Sequence, residues 1–284
     1  MDGQQPGKMP EADLASMIEQ FEDLALKAGA VIMPFYENGC ETMIKDDDSP
    51  VTAADQAAEA IILAGLRAAF PDIPVVAEEE ICAGHMPETL GRRFFLVDPL
   101  DGTREFINQR SDFTVNIALI EDGKPIAGTV YAPVRGDLFS GYDSTATHVE
   151  VTKDGQGQRI ALQVKGRAKA EVAVASRSHR TAETDAFLQD HQITDCVSVG
   201  SSLKFCLLAK GEADIYPRFG RTMEWDTAAG DAVLRAAGGL TTCSDGSVFA
   251  YGKQNQTHDA PFANPFFISW ATQGIPDLET EPTG

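Results

Sequence analysis

Three acidic clusters stand apart because each begins where an apolar run ends. Glu78-Glu79-Glu80 follows PVVA (74–77), and Asp98-Pro99-Leu100-Asp101-Gly102-Thr103 follows FFLV (94–97). Trp225-Asp226 opens the alanine-rich segment TAAGDAVLRAAGG (227–239). The end of a buried element is where a rigid scaffold commonly carries site residues. Carboxylates converging there repel one another unless hard cations neutralise them. Magnesium suits that role, because it prefers oxygen ligands and keeps several waters. Metal ions held there would supply local positive charge for a small anionic substrate. Each cluster also has a purely structural reading. Asp226 and Asp101 could each cap a helix. Asp55, three residues after Thr52, completes a T-x-x-D capping box, and a run of Glu suits a solvated surface.

The elements that must position these residues follow from periodicity. Leu14, Met17, Ile18, Phe21, Leu24, Ala25, Ala28, Val31, Ile32 and Phe35 recur at helical spacing and predict a helix over 11–36. A polar stretch, KDDDSP (45–50), precedes a second predicted helix over 53–69 carrying Ile61, Ile62 and Leu66, with Pro71 and Pro74 marking its end. Apolar runs at 74–77, 94–97 and 113–120 read as strands, the last turning at Asp122-Gly123 into a return strand over 125–132. From about 151 strands and helices alternate: strand 171–176, helix 181–190, helix 201–210, strand 213–216 and helix 226–237. Gly238-Gly239 suit the C′ position after the last helix. The mixture predicts layered helices and sheets with an N-terminal unit over 1–150, a C-terminal unit over 151–272, and a frayed tail over 273–284.

Composition narrows the partners. Lys and Arg number 23 against 43 Asp and Glu, a net charge of −20. A field of that sign repels nucleic acid and anionic membranes, so a small anionic substrate needs positive charge supplied locally. The polar N-terminal stretch MDGQQPGKMP is unlike a signal peptide, and no apolar run is long enough to span a bilayer. Cys40, Cys82, Cys196, Cys206 and Cys243 are scattered and form no C-x-x-C pair. They read as buried thiols in a reducing cytoplasm, with peripheral contact to the inner membrane left open.

VVAEEE, DPLDGTREFI and EWDTAAGDAVLRAAGG together closely resemble the three signature motifs of the inositol monophosphatase superfamily of metal-dependent, typically lithium-sensitive phosphatases. The similarity runs from about Ile44 to Trp270. SPVTAAD (49–55), SRSHRTAET (176–184) and GSSLKFCLLAKGEADIYPRFG (200–220) resemble its 3′(2′),5′-bisphosphate nucleotidase branch more narrowly. The resemblance implies a layered αβαβα sandwich with its site at the subdomain seam. It implies two or three Mg²⁺ held by Glu78, Asp98, Asp101, Asp226 and the Leu100 carbonyl. Three consecutive Glu leave that frame open, and Glu78 is chosen because Ala77 matches the small residue before the family's Glu pair. Thr103 and Asp55 match the pair that orients and deprotonates the attacking water. Gly102 and Thr103, at a helix start, would offer N–H groups to the phosphate, and Asp226 would border the substrate. Ser201, Lys204 and Arg218 would bind a second phosphate, and His179 would face the base; surface solvation and a loop hydrogen bond are the structural alternatives. Trp225 reads as core.

The function implied is removal of the 3′-phosphate from adenosine 3′,5′-bisphosphate (PAP), giving AMP, and of PAPS to APS, in sulfate assimilation. An inositol- or sugar-phosphate phosphatase shares the metal core and is the enzymatic alternative. A catalytically silent nucleotide-binding protein is the non-enzymatic one, opposed by the presence of every proposed ligand.

Overall fold

A computed structural model describes residues 9–39, 42–44, 50–166, 170–177 and 180–272. Cys40, most of the polar stretch before Pro50, His179 and the tail from 273 lie outside them.

Helix α1 (Glu11–Asn38) and helix α2 (Ala53–Ala69) occupy the two predicted N-terminal helices, joined through a short hairpin of β1 (Thr42–Ile44) and β2 (Pro50–Thr52). Then come β3 (Val75–Ala77), α3 (Glu78–Cys82), β4 (Arg93–Asp101) and α4 (Thr103–Ile107). A meander follows: β5 (Thr114–Glu121), β6 (Lys124–Ala132), β7 (Asp137–Tyr142) and β8 (Thr145–Thr152), with β9 (Gly155–Gln156) and β10 (Ile160–Ala161) at its edge. These strands form one sheet in the order β10-β8-β7-β6-β5-β4-β3, with only β3 and β4 parallel. The Asp122-Gly123 turn has positive φ at both residues, 50° and 75°, as a two-residue hairpin with right-handed strand twist requires.

The second half alternates β11 (Val172–Ser176), α5 (Ala182–Asp190), β12 (Asp195–Val199), α6 (Leu203–Ala209), β13 (Ile215–Arg218) and α7 (Glu224–Ala236). Strands β14 (Leu240–Cys243) and β15 (Phe267–Trp270) complete a five-stranded sheet ordered β12-β11-β13-β15-β14. Gly238, φ 94°, takes the left-handed conformation just past α7. The sequence places a seam near 150, but β8 runs across that position and β10 pairs back onto it. The change of sheet therefore falls between Ala161 and Val172.

Side-chain alternation sorts these elements into five layers. Phe95, Val97, Val115 and Ile117 point toward α1 and α2, while Phe94, Leu96, Ala118 and Ile120 point toward α6 and α7. The other face of that helical layer meets Val174, Tyr216 and Phe267 of the second sheet, whose outer residues Ala173, Ile215 and Ile268 pack with Leu188 of α5. The result is the layered α/β sandwich. Helix α7 lies directly on backbone at two glycines. A methyl group at Gly128 would come 2.8 Å from the Ala229 carbonyl oxygen, and one at Gly141 2.6 Å from Val233 Cα. No helix among the described residues is long and apolar enough to cross a membrane.

Candidate active site

Strand β4 ends in a bulge that aims two carboxylates the same way. Residues three apart on a regular strand face opposite sides. Here Asp98 pairs with Asn116 and Asp101 with Thr114, so β4 carries one residue more than β5 between the pairs. Pro99, which has no N–H to give to a ladder, sits in the bulge. Asp98 and Asp101 thereby share the face of Thr114 and Asn116, toward α6 and α7.

The third aspartate arrives from another layer. Asp226 is the third residue of α7, and its Oδ2 accepts the Met223 N–H at 2.9 Å. It is thus part of the helix cap without being the N-cap residue. Asp101 is not a cap: Gly102 takes that position before α4 with φ 92°, where a side chain is strained. Glu78 opens α3 at the end of parallel strand β3. Its helix is held from behind by buried Glu59, which accepts the Glu79 N–H at 2.8 Å and the Glu80 N–H at 3.0 Å. Burial, with the charges of Glu80 and Glu78 adding to it, pushes the Glu59 carboxyl up to about 7 against those two N–H bonds.

The aspartates share a pattern. Asp98 Oδ1 accepts the Leu100 N–H at 3.0 Å, and Asp101 Oδ2 accepts the Ser202 N–H at 2.7 Å. With Asp226, each carboxylate commits one oxygen to a backbone N–H. The second oxygen of each has no hydrogen bond to the described residues. Burial is the main reason their protons are held tightly: the Asp98 carboxyl is pushed well up, then further by Glu78, Asp101 and Asp226. Asp226 is raised by burial and by Asp101 and Glu78. Asp101 rises to about 6 through burial, opposed by Lys204 and Ser202. No three of these acids among the described residues already form a closed cation cage. The donor set nevertheless fits a hard divalent cation, being all oxygen, with uncommitted carboxylate lone pairs and mutual repulsion for a cation to relieve.

Asp55 carries both of its sequence readings at once. Its Oδ2 accepts from the Thr52 N–H at 2.8 Å and Oγ1 at 2.7 Å, completing the capping box of α2. Its Oδ1 lies 3.3 Å from Thr103 Oγ1, which is also 3.4 Å from the Leu100 carbonyl oxygen.

The opposite wall comes from the second half. A cleft of about 240 Å³ is lined by Glu78, Asp98, Asp101 and Thr103 on one side and by Lys204, Arg218 and Asp226 on the other. Leu100, Gly102 and Ser201 also border it, whereas Asp55 stands behind Thr103. Lys204 and Arg218, whose structural alternative was surface solvation, are buried. Burial, together with the charge of Arg218, lowers the Lys204 ammonium to about 8, and Asp101 opposes the shift. Its Nζ donates to the Ser201 carbonyl at 2.5 Å and lies 5.3 Å from the Tyr216 ring centroid. The Ser201 hydroxyl is turned to backbone, 2.7 Å from Asp101 O and 2.6 Å from Asp112 O. Trp225 is core, packed beside Phe262.

Several residues at the site escaped the sequence reading. Buried Asp112 pairs with Arg135 and, at 2.6 Å, with Arg177, and its Oδ2 accepts the Gly200 N–H at 3.2 Å. Although burial opposes it, these partners hold the Asp112 carboxyl below the usual range. Nothing in the surrounding sequence marks Asp112. Asn116 does leave a signal, as a lone amide inside the apolar run FTVNIALI. Ser202 and the cleft residues Arg104, Arg221 and Thr222 carry none.

Residues 13–270 match the Inositol monophosphatase family, and the chain belongs to that family. It is 46% identical over 256 residues to the 3′(2′),5′-bisphosphate nucleotidase CysQ of Salmonella typhimurium, covering 88% of this chain and 98% of the relative. Identity to the CysQ enzyme of Escherichia coli K12 is also 46%, with the same coverage. Among solved structures, CysQ from Bacteroides thetaiotaomicron superposes with a TM-score of 0.74 at 34% identity, covering 92% of this chain and 98% of that one. A Thermotoga maritima IMPase shares the fold, with a TM-score of 0.72 at 23% identity over 91% and 93% of the two chains.

Proposed function

We propose that this chain is a magnesium-dependent 3′(2′),5′-bisphosphate nucleotidase that hydrolyses the 3′-phosphate of adenosine 3′,5′-bisphosphate. The reading extends to conversion of PAPS to APS within sulfate assimilation in the cytoplasm. The observation that carries it is the cleft itself, where the half-committed carboxylates of Asp98, Asp101 and Asp226 share one space with two buried cations, Lys204 and Arg218. The similarity to the CysQ enzymes supports the same reading.

Glu78, Asp98, Asp101, Asp226 and the Leu100 carbonyl would hold Mg²⁺, which supplies charge neutralisation at the transferring phosphoryl group. The protein's own groups do the rest. Thr103 Oγ1, 3.3 Å from Asp55 Oδ1, orients the attacking water and relays its proton to that carboxylate, while the departing 3′-oxygen takes a proton from solvent water. The Thr52 contacts to Oδ2 fix the carboxylate, and with it Oδ1, while the proton is received. Gly102 and Thr103 N–H groups would border the phosphate being cleaved. Lys204 and Arg218 would bind the phosphate that stays, by point charge and by a planar fork respectively. Ser201, whose hydroxyl is directed to backbone carbonyls, would contribute the conformation of its turn, and His179 contact with the base.

The test is phosphate release from adenosine 3′,5′-bisphosphate, inositol 1-phosphate and fructose 1,6-bisphosphate, each with Mg²⁺, after its exhaustive removal, and with added Li⁺. The expected result is preference for the nucleotide, dependence on Mg²⁺ and inhibition by Li⁺. Preference for the inositol or sugar phosphate replaces this reading with that of a different family branch. Absence of turnover on all three, with the nucleotide still bound, would leave a silent binding protein.

A further inference from the structure

Ser202 lies where three layers of the site meet. Its N–H gives the 2.7 Å bond to Asp101 Oδ2, and its hydroxyl stands 3.2 Å from that oxygen. The same hydroxyl stands 2.7 Å from the Asp226 carbonyl oxygen. Since a hydroxyl has one proton, the shorter contact is the donated one. Asn116 Nδ2, on strand β5, then donates to Ser202 Oγ at 2.9 Å and reaches Asp101 Oδ2 at 3.4 Å. Asn116 and Ser202 are both buried, at 0% and 1% exposure, so water does not compete for these bonds.

The chain therefore runs from β5 through the start of α6 to the first turn of α7, joining the Asp101 carboxylate to the backbone of Asp226. It also saturates Oδ2 of Asp101, so that only Oδ1 is left for another partner. Asn116 makes these bonds at a cost, because its Oδ1 is buried without a hydrogen-bond partner among the described residues. A strand position buried against α6 and α7 would be more stable with Val, which suits a pleated apolar face. An amide kept there against stability points to a task at the site.

We propose that Asn116 and Ser202 are positioning residues that fix the Asp101 carboxylate in one orientation relative to Asp226, leaving Oδ1 as its single outward oxygen. The inference rests on the reading of Asp101 and Asp226 as cation ligands. Residues behind metal ligands typically alter metal affinity by about 10–100-fold when removed.

The test uses the full chain and Mn²⁺ as the probe, with free Mn²⁺ followed by electron paramagnetic resonance and no substrate present. Asn116→Val, Ser202→Ala and Ser202→Thr are compared with the unmodified protein, and thermal melting is recorded in chelator. Asn116→Val should weaken Mn²⁺ binding about tenfold while its melting temperature holds or rises. Ser202→Ala should weaken binding by a similar factor, and Ser202→Thr, which keeps the hydroxyl, should recover part of it. In turnover, the Mg²⁺ concentration for half-activation should rise, with little change in substrate KM at saturating Mg²⁺. Unchanged Mn²⁺ affinity in Asn116→Val overturns the proposal, as does a lowered melting temperature with affinity intact, which is the mark of a purely structural pair. Should Ser202→Ala not fold, Asn116→Val alone decides. Failure of the unmodified protein to bind Mn²⁺ overturns the underlying cation-site reading instead, an outcome distinct from the other two.

Discussion

The two walls of the cleft are assembled over very different sequence distances. On the wall made by α2 and β4, the bonds that fix each carboxylate from its own element are local. Thr52 to Asp55 spans three residues and Leu100 to Asp98 two, although Thr103 meets Asp55 across 48. On the wall made by α6 and β13, the defining bonds are remote: Ser202 to Asp101 spans 101 residues and Ser201 to Asp112 spans 89. The local bonds of the first wall close within a few residues of chain, whereas the second wall is tied across both sheets. A substitution on the first wall should therefore alter the chemistry itself, and one on the second should alter which substrate is served and how firmly the halves of the site are held.

The largest effect expected is from Asp101→Asn. It preserves shape but removes a charge set among the proposed cation-binding oxygens, so kcat should fall on the order of 10²–10³-fold in steady-state assays. Because a buried, raised carboxyl is lost, the melting temperature in chelator should not drop. Near-normal turnover would mean that the first wall is only architecture.

Thr103→Ala should be somewhat milder, about 10²-fold in kcat with KM nearly unchanged, since a hydroxyl that steers water acts mainly at the transition state. A change confined to KM would make Thr103 a phosphate-binding residue and blur the distinction between the walls.

Lys204→Ala and Arg218→Ala sharpen the comparison from the other side. Each should lower kcat/KM for adenosine 3′,5′-bisphosphate about 10–100-fold, the equivalent of roughly 1.5–3 kcal/mol per charged hydrogen bond. Adenosine 3′-monophosphate, lacking the second phosphate, should be much less affected. Lys204 gives the more exacting test, because its charge also opposes the raised carboxyl of Asp101. Equal losses on both substrates would show the cation acting on the first wall.

The smallest effect concerns pH and the cation-free protein. Asp98 and Asp226 are raised well above their ordinary value, Asp101 to about 6 and Glu59 to about 7. A carboxyl raised in the folded state binds more protons there than in the unfolded chain. Stability therefore falls as pH climbs from the unfolded value through the folded one. In chelator the melting temperature should be higher near about pH 5 than near about pH 8, and added Mg²⁺ should narrow the gap. A melting temperature that rises with pH in chelator would mean that these carboxylates are not buried together.

The same division explains how much could be read from sequence. Helices α1 and α2, strands β3 to β6 and the Asp122-Gly123 turn follow from period and turn chemistry, and the carboxylates from motif strings within the first wall. The bulge at Pro99 was not read, although it decides that Asp98 and Asp101 face one way. Strands β7, β8 and β14 escape the sequence because their patterning is diluted by Gly, Ser and Thr, and β15 because four residues are too few to show a period. In the second wall, Lys204 and Arg218 were found only through resemblance. Asp112, Ser202 and Asn116 act through partners about 20 to 100 residues away, which no local window contains.

The seating of α7 on Gly128 and Gly141 has a further consequence. With bare backbone beneath it at both points, the helix has no layer of side chains there to repack as it moves. A small slide would carry neighbouring side chains into that backbone contact, which favours the helix staying seated or leaving as a whole. Its amide hydrogens should therefore exchange with solvent only through the rare opening that also releases β5, β6 and β7, as one cooperative unit. Asp226, at the head of that helix, would then keep its height above the sheet on every timescale shorter than global unfolding.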